Sequence, residues 1–199
     1  MAKVFWGNTP VKTRKEGGKG QLVHRDGELF YKITNHDAMP AFLVSVVSGS
    51  DHWMYVSSYG GLTCGRGNPD NALFPYYTDD KIHDARDTTG PESIFLVTGD
   101  SGKHLWKPFC RDINVYDIDR HLYKNWIGNK LVFEEINHDL GLIFSYTWCN
   151  SERFGFVKKA SLRNTGARVL QVDVLDCFSC FPCARFNHID DRLAFVGSK

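Results

Sequence analysis

Hydrophobic and polar positions alternate along most of the chain in short runs broken by glycine, the period-two pattern of half-buried strands. Residues 21–34 hold two such runs on either side of Asp26-Gly27, a pair that accepts left-handed backbone and closes a hairpin. Residues 41–48 form a mostly apolar run stopped by Gly49, which predicts a strand buried on both faces. A run over 52–59 follows the turn from Gly49 to His52, and the run over 93–98 is closed by Gly99-Asp100-Ser101-Gly102. Further strands are predicted over 114–118, 130–136, 142–148, 155–162 and 168–175. Residues 137–141 and 163–166 each combine Asn with Gly and predict sharp turns at hairpin distance. Residues 13–20, polar and carrying Gly17, Gly18 and Gly20, read as a loop. Helical periodicity is confined to 79–87 and 189–195, both too short for a core helix. Strand following strand predicts an all-β, antiparallel sandwich or barrel.

Composition sharpens this picture in three ways. The 199 residues suit a single domain spanning 1–199. The aromatic fraction of 14%, from 14 Phe, 8 Tyr and 5 Trp, favours pleated surfaces, as do the 18 Gly for tight turns. Lys and Arg number 24 against 23 Asp and Glu, so the chain lacks the basic surplus of a nucleic-acid partner. No apolar run approaches the roughly 20 residues that span a bilayer, so no membrane association is expected. Residues 1–8 lack the apolar core of a secretory leader, which points to a cytoplasmic setting. There Cys64, Cys110, Cys149, Cys177, Cys180 and Cys183 are expected as thiols or metal ligands.

Candidate chemistry is sparse. The Gly-rich stretch 58–67 lacks the Lys-Ser/Thr ending of a phosphate-binding loop and reads as a wide loop between strands, its glycines at positive φ. In 73–82, Tyr76 and Tyr77 stand next to Asp79 and Asp80, flat apolar faces beside hydrogen-bond acceptors. Sugar recognition needs that pairing, because a pyranose has an apolar face and a hydroxyl rim. A proline-bent strand edge whose tyrosines pack inward is the competing reading. Glycoside chemistry needs two carboxylates at a set separation. Asp79, Asp80, Glu134, Glu135, Glu152, Asp173 and Asp176 are scattered, with no spacing that establishes one. Cys177, Cys180 and Cys183, spaced by two residues, have the layout of a zinc or iron–sulfur site with His188 as a fourth ligand. Buried thiols acting as small apolar groups are the alternative. The eight His form no metal-binding pair and no Gly-x-Ser-x-Gly elbow is present. No residue is therefore assigned a catalytic or metal-binding role, and no cofactor is expected.

Several segments together resemble the N-terminal region of the cellobiose phosphorylase family of glycoside phosphorylases. They are Trp53-Met-Tyr-Val-Ser-Ser-Tyr-Gly-Gly-Leu-Thr-Cys-Gly-Arg, Leu73-Phe-Pro-Tyr-Tyr-Thr-Asp-Asp-Lys-Ile, Lys103-His-Leu-Trp-Lys-Pro-Phe, and the stretch from Tyr146-Thr-Trp-Cys-Asn through Arg163-Asn-Thr-Gly to Val169-Leu-Gln-Val-Asp-Val-Leu-Asp. The likeness is a layout of short motifs running from about Lys3 to Asp176. It implies an antiparallel β-supersandwich, similar to galactose mutarotase and here incomplete, at the N-terminal end of a larger carbohydrate-active enzyme. The catalytic (α/α)6 barrel of that family follows in cis and holds the general acid, which has no counterpart in these residues. The implied role is to support that barrel and shape its cleft, with an oligosaccharide or sugar phosphate as ligand and homodimer formation. Trp53, Tyr76, Tyr77, Asp79, Asp80 and Trp106 are the candidate sugar-contacting residues. A free-standing carbohydrate-binding module is the alternative, as is a small metal-binding protein using Cys177, Cys180 and Cys183.

Overall fold

A computed structural model describes residues 3–13, 15–74, 78–100, 102–111, 114–179 and 194–197. In chain order the strands are β1 (Phe5–Trp6), β2 (Thr9–Pro10), β3 (Lys19–Arg25), β4 (Glu28–Thr34), β5 (Leu43–Ser45), β6 (His52–Ser57) and β7 (Leu62–Arg66). After the short helix α1 (Asp79–Asp84) come β8 (Gly90–Gly99), β9 (Gly102–Trp106), β10 (Ile118–Asn125), β11 (Lys130–Asn137), β12 (Leu142–Ser151), β13 (Gly155–Asn164), β14 (Gln171–Ser179) and β15 (Ala194–Gly197). The fold is all-β, with antiparallel pairing except where β15 runs parallel to β13.

The largest sheet has seven strands in the order β15-β13-β12-β11-β10-β4-β3, and two three-stranded sheets are ordered β14-β8-β9 and β5-β6-β7. Alternation decides which side chains meet. Leu131 and Phe133 of β11 with Leu142, Phe144, Tyr146 and Trp148 of β12 all point one way and are buried. They join Phe95, Val97 and Trp106 from one small sheet, and Met54, Val56, Leu62 and Cys64 from the other, in one cluster. The small sheets thus share a core with one face of the large one, as in a sandwich. Phe133 and Tyr146 stack at 4.9 Å between ring centres, and Phe95 meets Phe144 edge-on at 5.0 Å. The opposite face of the large sheet carries a smaller patch of Phe30, Tyr123 and Val132.

Several expectations hold in detail. Asp26 and Gly27 both have positive φ, 50° and 81°, the backbone of a two-residue hairpin turn between β3 and β4. The 137–141 turn joins β11 to β12, and residues 79–87 are helical, as α1 followed by a 3-10 turn.

Others need correction. The apolar run at 41–48 is regular only over β5, an edge strand, with Leu43 and Val47 exposed. Continuous hydrophobicity there reflects one buried face holding Val44 and Val46. The 58–67 stretch is no wide loop: a tight turn at Ser58–Gly61 leads directly into β7, and the Ser57 N–H bonds to the Gly61 carbonyl at 2.7 Å. Residues 114–117 are not strand. The strand begins at Ile118 and runs on through Asp119-Arg-His-Leu-Tyr-Lys-Asn, polar residues that mask its period. Finally, the 163–166 turn closes no hairpin, since β14 leaves β13 and pairs with β8 in another sheet. The short helix expected at 189–195 falls largely outside the described residues, and Ala194–Gly197 is strand.

Among the described residues no helix is long and apolar enough to cross a membrane.

Candidate functional site: a cleft at the 107–111 loop

Glu135 faces the core from β11 with only 1% exposure and organises the loop after β9. Its Oε1 accepts from the Trp106 indole N–H at 2.8 Å, and its Oε2 accepts from the Phe109 backbone N–H at 2.6 Å and from Arg120 Nε at 2.7 Å. Arg120, 5% exposed on β10, also donates to Asp37 Oδ2 at 3.1 Å and to the Cys110 carbonyl at 2.6 Å. Taking two charges out of water is costly, and only such complete hydrogen bonding makes the pair tolerable. The network holds Phe109 at φ 62°, a left-handed conformation that costs a bulky residue about 1–3 kcal/mol. Phe109 is thereby turned against Phe133, Phe144 and Tyr146.

Beside this loop lies a cleft of about 70 Å³. Tyr59, Phe109 and Tyr146 supply its aromatic walls, and Arg86, Glu92, Ser93 and Lys107 its polar rim. Lys107 pairs with Glu92 at 2.5 Å. Ser93 donates to Asp176 Oδ1 at 2.6 Å, and the same oxygen meets the buried Lys158 ammonium at 2.5 Å. Burial pushes the Lys158 amine below its ordinary value, and Asp176 opposes that shift.

Tyr59, Gly60, Phe109 and Tyr146 also line a smaller cavity of about 10 Å³, completed by His36, Asp37, Arg111 and Arg120 among others. Tyr59 is held by its hydroxyl, which donates to the Met39 carbonyl at 3.1 Å, and by the Arg111 guanidinium 3.3 Å from its ring centre. His36 is 3% exposed, and neither ring nitrogen has a hydrogen-bond partner among the described residues. Burial pushes its pKa down to about 4; Asp37 opposes the shift, while Arg120, His121 and Arg111 add to it. The imidazole is therefore neutral at physiological pH, with one donor and one acceptor. Close backbone approach shapes this end of the sandwich, because a Cβ on Gly61 would lie 2.4 Å from the Ile82 carbonyl oxygen.

Of the six sugar-contacting candidates, the four among the described residues do not line this cleft. Trp106 packs at 5.3 Å against Phe95, is 1% exposed and has its N–H on Glu135, so neither ring face is open to a ligand. Trp53 lies half-buried on the outward side of β6, 6.3 Å from Tyr55 and directly over Gly65. Asp79 and Asp80 open α1, and the Thr78 hydroxyl donates to Asp80 at 2.5 Å, holding that carboxyl below the usual range. Tyr76 and Tyr77 lie outside the described residues, as do Cys180, Cys183 and His188. Cys177 is a half-buried free thiol whose pKa burial raises. Among the described residues no group of three His, Cys, Asp or Glu could hold a metal ion.

One arrangement has the outline of a hydrolase triad. His83 Nδ1 is 2.8 Å from Ser57 Oγ, and His83 Nε2 is 3.5 Å from Asp79 Oδ1. Burial is inverted relative to that chemistry, which needs an accessible nucleophile and a sheltered carboxylate. Ser57 is fully buried and accepts from the Tyr59 N–H at 3.1 Å, whereas the Asp79 side chain is 69% exposed. The trio ties α1 to β6 and has no nucleophile to offer.

Sequence reasoning missed His36, Tyr59, Phe109 and Tyr146 as site residues. Tyr59, Phe109 and Tyr146 do lie within the quoted motifs, and that was the available signal. An all-β protein with a buried charge network beneath an aromatic cleft is thus the class the fold and site define. No protein-family model matches the chain, and no curated protein matches it.

Proposed function

We propose that the chain is a carbohydrate-associated β-sandwich domain of supersandwich type, the N-terminal part of a glycoside phosphorylase- or hydrolase-like protein. In this reading it supports a separate catalytic (α/α)6 barrel and helps to shape the sugar cleft. One observation carries the reading. Three of the segments that resemble the phosphorylase family, far apart in the chain, each send an aromatic residue to the same cleft: Tyr59, Phe109 and Tyr146. Ring faces bordered by the donors and acceptors of Arg86, Glu92, Ser93 and Lys107 match the apolar face and hydroxyl rim of a pyranose. The test is a titration of the isotopically labelled chain with cellobiose and with a β-1,2-linked glucose disaccharide, followed by protein-observed NMR. Amide shifts at Tyr59, Phe109 and Tyr146 are expected. Their absence at tens of millimolar sugar refutes the reading.

A free-standing carbohydrate-binding module is favoured by a different observation. Trp126 and Ile127, 81% and 68% exposed at the β10–β11 turn, flank a second concavity beside Glu28 and Asn125. In that case the same titration moves the Trp126 indole signal and leaves the cleft unchanged.

A further inference from the structure

We infer that the small cavity under the cleft is a hydroxyl-recognition site, in which His36 binds one hydroxyl of a carbohydrate seated against Tyr59, Phe109 and Tyr146. The inference rests on the carbohydrate reading above and names the residue that gives it specificity.

His36 is buried to 3% exposure beside Phe133, ring centres 5.8 Å apart, with both nitrogens unpartnered among the described residues. An unmatched buried polar atom is destabilising, so two on one ring are a standing penalty that an apolar residue would avoid. The two nitrogens of a neutral imidazole, one a donor and one an acceptor, point in diverging directions, and a hydroxyl, which can both accept and donate, matches whichever of them it meets. A phosphate would bring negative charge into this buried space, which is costly without a cation to meet it. Arg120 is engaged elsewhere, with its donors on Glu135, Asp37 and the Cys110 carbonyl. Size agrees with chemistry: about 10 Å³ takes a group the size of one water and no more. A single hydroxyl would fill it with its ring in the neighbouring cleft, since Tyr59, Gly60, Phe109 and Tyr146 line both spaces.

The experiment compares the wild-type chain with His36→Phe and His36→Gln, using cellobiose and its monodeoxy derivatives as probes and imidazole nitrogen NMR as a second readout. His36→Phe removes both nitrogens yet keeps an aromatic ring against Phe133, so the fold is expected to survive with an undiminished melting temperature. Cellobiose binding is expected to weaken by about tenfold or more in His36→Phe, the loss of one buried hydrogen-bonded pair, and to recover in part in His36→Gln. One monodeoxy cellobiose should bind the wild type about tenfold more weakly than cellobiose, and His36→Phe should not distinguish the two. Equal cellobiose affinity in wild type and His36→Phe, with Tyr59 and Phe109 shifting in both, overturns this inference alone. Absence of any shift in the wild type overturns it together with the carbohydrate reading. Inorganic phosphate moving the His36 ring signals in place of the sugar overturns the hydroxyl assignment.

Discussion

Replacing Glu135 by Gln changes the size of the side chain hardly at all and removes one charge, which isolates the network's contribution. Three donors converge on the Glu135 carboxylate, from Trp106, Phe109 and Arg120. An amide has one oxygen, so its NH2 must face at least one of those donors in a site with 1% exposure. The Arg120 charge is then left with Asp37 as its remaining carboxylate. Removing one partner of a buried ion pair costs about 3–5 kcal/mol. At this chain length that corresponds to a fall in melting temperature of roughly 6–20 °C. Urea unfolding followed by tryptophan fluorescence measures it, with the midpoint expected to drop at an unchanged m-value. Replacing both members, Glu135→Leu with Arg120→Met, should recover much of the loss, because no buried charge then remains unpaired. A loss below about 1 kcal/mol for Glu135→Gln would refute the argument, since the pair would then be behaving as a solvated surface pair.

Two further perturbations test other parts of the structure. The His36 pKa lies near 4 in the folded chain against 6.5 for the unperturbed ring, so the unfolded state binds the extra proton first as pH falls. Stability should therefore decline between about pH 6.5 and 4 by roughly 3 kcal/mol from this residue and level off below. Urea midpoints across that range, compared with His36→Phe, should show the variant lacking this component; identical slopes would contradict it. Gly65→Ala places a Cβ 2.5 Å from Trp53 Cζ2 and 2.7 Å from the Asn71 carbonyl oxygen. The overpacking should cost about 1–3 kcal/mol in the same unfolding assay, and a neutral result would mean that Trp53 moves freely off β7.

Much of the secondary structure was legible because each short strand reports its own period. The β3–β4 hairpin needed only the alternation and Asp26-Gly27, and β11, β12 and β13 lie within a few residues of their expected bounds. β10 was missed because Arg120, His121 and Asn125 are buried polar residues, and their partners Glu135, Asn35 and Glu28 stand elsewhere in the chain. β9 was missed for a related reason: its Trp106 looked like an exposed aromatic until Phe95 and Glu135 enclosed it.

By itself, then, the sequence determined the all-β class, most strand positions and the tight turns, because these follow from interactions over a few residues. Tertiary structure alone decided which sheet each strand joins, as when β14 crosses from β13 to β8. It also decided which polar residues go inside. Period two separates the two faces of a strand but does not say which face is buried, and a charge is buried only where another segment brings its counter-charge. The cleft belongs to that second category. Tyr59, Phe109, Tyr146 and His36 meet because the Glu135–Arg120 pair pins the 107–111 loop against the large sheet, a contact that no local pattern encodes.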